Sequence, residues 1–110
     1  YKILKQFAAY PGVKKIFVTE NGCAFPDEVV NGKVKDTKRI DFYQRYLKEV
    51  LRAKKDGVNI GGYFSWTLLD NFEWSEGFKP RFGLVHVNFK TQKRIIKESG
   101  FWFKDFLLSP

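Results

Sequence analysis

A chain of 110 residues makes at most one ordinary domain with a modest core, and three Trp, five Tyr and twelve Phe exclude a disordered tail. The net charge of +8 raises nucleic acid or an anionic membrane as partners. The basic residues from Lys33 to Lys55 are interleaved with Asp36, Asp41 and Glu49, however, which reads as a solvated helix face, so neither partner is expected.

Ile3, Leu4, Phe7 and Ala8 have helical spacing, and Pro11-Gly12 stops the pattern. Tyr1 falls inside that pattern, so the native chain is expected to begin earlier. Lys14 to Thr19 is a short run of β-formers that predicts a buried strand, closed by Asn21-Gly22. A loop runs from Cys23 to Asp36, with a small hairpin expected at Asn31-Gly32. Tyr43, Tyr46, Leu47, Val50 and Leu51 form one face of a helix that Asp36 or Thr37 caps and Gly57 ends. Val58 to Trp66 predicts a second strand, followed by a loop from Thr67 to about Arg81. Phe82 to Phe89 is strand-like, and Ile96, Phe103 and Leu107 mark a last helix interrupted by Gly100. Apolar strands alternating with helices predict an α/β fold with a parallel sheet buried on both faces. Two such strands cannot close a sheet, so the fold is expected to be incomplete.

Two constellations carry chemistry. Glu20, in Thr19-Glu20-Asn21-Gly22, ends the first strand, the edge at which α/β folds place reactive groups. A plain loop residue or a helix-end ion pair is the competing reading. Trp66 to Trp74 leaves the second strand at the same edge and holds two Trp, Asp70, Asn71 and Glu73. Aromatic faces with carboxylates and amides suit a sugar ring: the aromatics cover C–H surface and exclude water, and the polar groups grip hydroxyls. A Trp-rich plug under a loop would give the same composition. His86 is the only histidine, which leaves no His-based triad or multi-His metal site, and it reads as structural. Cys23 reads as an inert filler; a single cysteine forms no internal disulfide, which fits a reducing, cytoplasmic location.

The blocks Ile16 to Gly22 and Trp66 to Trp74, with Arg81-Phe82-Gly83, resemble the family 1 glycoside hydrolases, the β-glucosidase group. Arg39-Ile40-Asp41-Phe42 and the segment from Gln92 to Ser99 extend the likeness over essentially the whole chain. The resemblance implies a (β/α)8 barrel of which this is the last quarter, with Ile16–Glu20 on the seventh strand and Ile60–Trp66 on the eighth. It implies retaining hydrolysis of β-glycosides with Glu20 as nucleophile and no metal or cofactor. Glu73 would bind the far hydroxyls of the sugar and Trp74 would donate its indole N–H beside it. Trp66 would stack under the ring and Phe82 would line the pocket. The partner acid normally lies in an Asn-Glu-Pro motif, which does not occur here, so the acid and the rest of the barrel are expected outside residues 1–110. A non-catalytic carbohydrate-binding relative of the same fold is the alternative. No Ser-Lys-Tyr arrangement follows Trp74, which leans against phospho-glycosides.

Overall fold

Two parallel strands, β1 (Ile16–Asn21) and β2 (Ile60–Ser65), lie side by side in the computed structural model, which describes residues 1–109. Helix α1 (Lys2–Ala8) precedes β1, and the 19-residue helix α2 (Thr37–Lys55) makes the crossover to β2. Ile16 pairs with Ile60 and Val18 with Tyr63, and an irregularity falls between Val18 and Asn21 before Asn21 pairs with Ser65. The expected parallel pairing is therefore present. Burial on both faces is not: Phe17, Thr19 and Glu20 are exposed, because the described chain offers nothing to cover that face.

Helix α2 runs until Gly57, whose φ of +88° is a backbone state that a side chain disfavours. Its inward stripe is Tyr43, Leu47 and Ala53, whereas Tyr46 and Leu51 stand half in solvent and do not belong to the core. Asp36 sits at the N-cap but makes no capping bond to the helix; its carboxylate turns to Arg39 and Ser99 instead. The Asn31-Gly32 turn is a two-residue hairpin, with both residues at positive φ and Val30 and Lys33 exchanging backbone hydrogen bonds of 2.8 and 3.0 Å.

Beyond β2 the chain differs more from expectation. The strand-like run 82–89 reduces to β3 (Val85–Val87), which pairs antiparallel with an unforeseen β4 (Arg94–Ile96). Ile96 thus belongs to a strand, and α3 (Glu98–Leu108) starts after it and runs through Gly100 without a break. A Cβ at Gly100 would lie 2.9 Å from the Leu84 carbonyl oxygen and 2.8 Å from the Ile96 side chain, so this glycine permits close packing rather than ending a helix. Two apolar clusters result. Leu4, Ala53 and Val58 join α1 and the end of α2 to the strands, and Tyr43, Leu47 and Leu84 join α2 to α3 through Trp102 and Phe103.

Candidate active site

The C-terminal ends of β1 and β2 are locked together by short contacts. The Trp66 N–H donates to the Asn21 carbonyl at 2.9 Å, and the Tyr63 hydroxyl donates to Asn21 Oδ1 at 2.6 Å. Burial pushes the Tyr63 phenol well above its ordinary range, so it stays a donor. Tyr43 and Ser65 share a hydrogen bond of 2.7 Å between their hydroxyls. Gly22 touches the Trp66 backbone so closely that a Cβ would fall 1.8 Å from its carbonyl oxygen, and only glycine fits. Glu20 is thereby held at one strand end, exposed, beside the strand end that leads into Trp66.

From Trp66 the chain turns out and back. The Trp66 indole Nε1–H donates to Glu73 Oε1 at 3.2 Å, which brings two of the expected site residues together. The Glu73 N–H donates to the Gly77 carbonyl at 2.7 Å around a 3-10 turn at Trp74–Glu76. Trp74 has φ +48° and is 84% exposed; it is the indole of Trp66, not of Trp74, that reaches Glu73. Phe82 is half-buried and accepts the Thr67 N–H at 3.4 Å through its carbonyl, and Thr67 in turn accepts from Leu84 at 2.9 Å.

Beneath this loop lies a buried polar network, and two of its members, Asp36 and Arg39, are buried rather than part of the expected solvated helix face. Arg39 is 0% exposed and grips Asp27 with Nη1 and Nη2, at 3.1 and 2.8 Å, while also pairing with Asp36. Its Nη2 donates further to the Arg81 carbonyl at 2.7 Å. Lys97, also 0% exposed, donates to Asp70 at 2.8 Å and to Asp27. Asp70 accepts from Arg81 at 2.6 Å and from the Gly83 N–H at 2.9 Å. Burial pushes the Asp70 carboxyl upward, but the bonds and charges of Lys97 and Arg81 outweigh it and hold the group below its ordinary range. In the sequence Asp70 and Arg81 lie in the blocks that carry the family likeness, and Arg39 and Lys97 in the segments that extend it, but nothing there pairs them.

The remaining candidates are quiet. Burial raises the Cys23 thiol to about 11, with Arg39 opposing the shift, so the thiol is protonated and unreactive near neutrality. His86 is buried with Nδ1 lacking a hydrogen-bond partner, and burial, then Arg81, lowers its affinity for a proton. A concavity of about 790 Å³, walled by Phe25, Pro26, Val30, Lys33 and Lys38, contains none of Glu20, Trp66 or Glu73. Among the described residues no helix is long and apolar enough to cross a membrane.

The "1,4-beta-D-glucan glucohydrolase" of Thermotoga neapolitana is 49% identical over 108 residues, 97% of this chain and 24% of that protein. "Beta-glucosidase A" of Acetivibrio thermocellus is 53% identical over 87% of this chain and 22% of its own length. The "6-phospho-beta-galactosidase" of Clostridium acetobutylicum is 50% identical over 86% of this chain and 20% of its own. Among solved structures, the "Family 1 b-glucosidase from Thermotoga maritima" superposes with a TM-score of 0.95 at 44% identity, covering 97% of this chain and 24% of that one; the same enzyme is known "in complex with isofagomine lactam". These β-glucosidases are TIM barrels, and the chain spans about a quarter of their length. The profile of "Glycosyl hydrolase family 1" matches residues 1–109, and the chain belongs to that family.

Proposed function

We propose that β1 and β2 are the seventh and eighth strands of a (β/α)8 barrel, that residues 1–110 are the C-terminal part of this single catalytic domain, and that the complete barrel is a retaining β-glycosidase with Glu20 as nucleophile. The remaining strands and the acid would come from the rest of the polypeptide or a second chain. One observation supports the reading above others. Glu20 and the hydrogen-bonded pair Trp66–Glu73 lie at adjacent C-terminal ends of two parallel strands, the face on which TIM-barrel enzymes carry their chemistry.

The chemistry follows from that placement. The Glu20 carboxylate attacks the anomeric carbon as the bond to the aglycone oxygen breaks, and that oxygen takes the proton of the partner acid. Water then attacks the same carbon, returns a proton to the partner, and frees Glu20. Two inversions give net retention, which places the two carboxyl groups roughly 5 Å apart in the full site. Glu73 Oε1 is held by the Trp66 indole, leaving Oε2 for a sugar hydroxyl. That hydrogen bond to Nε1 also fixes the tilt of the Trp66 ring, whose face can lie under the sugar. Trp74, largely in solvent, and Phe82, anchored by its backbone, would complete the glycone wall.

In the complete barrel, Glu20→Gln should cut kcat by roughly a thousandfold or more with little change in Tm, since an amide is a poor nucleophile. Proton NMR of the wild-type reaction should show the β-anomer forming first. Unimpaired turnover by the variant, or first release of the α-anomer, would defeat the reading.

A further inference from the structure

We propose that Lys97 is a positioning residue of the glycone site, tying the loop behind Glu20 to the loop that carries Glu73. The inference rests on the glycosidase reading and deepens it by adding a residue that touches no substrate.

The geometry is specific. Lys97 stands at the N-cap of α3, far in sequence from both loops, yet its ammonium is fully buried and lies between two carboxylates. One is Asp27, seven residues after Glu20; the other is Asp70, four residues after Trp66 and three before Glu73. On the first side, Asp27 holds Arg39, whose Nε also donates to the Cys23 carbonyl at 3.4 Å, three residues from Glu20. On the second side, Asp70 fixes the base of the glycone loop: its carboxylate takes Lys97, Arg81 and the Gly83 N–H, and its own N–H donates to Val85 at 3.0 Å. Contacts thus run from Cys23 through Arg39, Asp27 and Lys97 to Asp70, and Lys97 is the bridging ammonium of that chain.

Burying an ammonium costs more than burying an apolar side chain of equal volume, so an ion pair here is a poor way merely to stabilise. It is a good way to impose one arrangement, because the ammonium must satisfy both carboxylates at once. Without Lys97, Asp27 would keep Arg39 and Asp70 would keep Arg81. Each loop would remain anchored, and the ionic bridge between the two carboxylates would go, leaving the hydrogen bond from Arg39 Nη2 to the carbonyl of Arg81, the partner of Asp70.

The test is a double-mutant cycle in the complete enzyme, with kcat/KM on an aryl β-glucoside as the readout. Lys97→Met should lower kcat/KM roughly ten- to a hundredfold, with a fall in kcat, because Glu73 no longer meets the distorting ring in register. In a Glu73→Ala background the same substitution should cost less than about threefold, since there is no carboxylate left to misplace. Equal losses in both backgrounds, or no loss in either, would overturn the positioning role while leaving the glycosidase reading intact. A Glu73→Ala variant with unaltered kcat/KM would instead strike the glycone-site reading itself. Should Lys97→Met yield no folded enzyme, Asp70→Asn carries the same cycle; failure of both to fold would make the network a folding element and overturn the proposal.

Discussion

On the strand side of the molecule, β1 and β2 leave Phe17 and Phe64 more than half exposed, and α1 leaves Ile3 and Phe7 in solvent. On the loop side, Arg39, Lys97 and Asp70 are buried and each of their charges has a partner within the chain. The contrast teaches which surfaces are finished. Buried ion pairs tolerate no missing partner, so the loop side must close within this chain. Apolar faces left open are what a barrel wall looks like when its neighbouring strands and helices are not beside it.

Withholding those neighbours altogether is the harshest test of the contrast. The 110-residue chain alone should hydrolyse no aryl β-glucoside and should melt broadly by circular dichroism, whereas a sharp transition with turnover would show that the open side needs nothing. Next in size is damage to the finished side. In the complete barrel, Arg39→Leu leaves Asp27 and Asp36 short of their guanidinium and should cost about 3–5 kcal/mol in urea unfolding. A loss below about 1 kcal/mol would mean that this network is no more sealed than a surface pair. Phe17 separates the two sides most cleanly. Phe17→Ala should leave the circular dichroism of the isolated chain unchanged yet destabilise the complete barrel by about 3 kcal/mol, because only there is the ring covered. Equal behaviour in both would remove the inference that a barrel neighbour packs on β1.

Acid should act on the finished side, and the sign is the same for His86 and Asp70, the two groups there whose proton affinity is lowered. His86 binds a proton less readily folded than unfolded, so stability begins to fall as pH drops below about 6.5. Asp70 is held below its ordinary range, so a further loss sets in as pH falls through about 4 and beyond. His86→Gln should flatten the first phase by about 1 kcal/mol or less and leave the second; an unchanged first phase would assign it to another group.

The readable parts of the chain were those whose signal is local. Ile16 to Thr19 announced a strand by β-formers alone, α2 by its spacing and Gly57, and Asn31-Gly32 by the backbone freedom of its two residues. β4 was not readable, because Arg94-Ile95-Ile96 is three residues long and becomes a strand only by pairing with β3. Gly100 was misread for a related reason: what it makes room for is the Leu84 backbone, sixteen residues away. Glu20 lies near the end of β1, Trp66 directly follows β2, and Glu73 lies in the loop that leaves β2, positions that the local strand signals already indicate. The pairing of Arg39 was not readable, since its partners Asp27 and Arg81 lie in other segments and charge alone does not name a partner.

The most direct measurement of the account is covalent capture. With the complete barrel, a 2-deoxy-2-fluoro β-glucoside bearing a good leaving group should glycosylate Glu20 and stall there. The fluorine slows both oxocarbenium-like steps, while the leaving group keeps the first competent. Mass spectrometry of the digested enzyme should find the added sugar on the peptide containing Ile16 to Gly22, and Glu20→Gln should abolish it. A label on any other carboxylate, or no label from an enzyme that turns over normally, would contradict the assignment of Glu20 as the nucleophile.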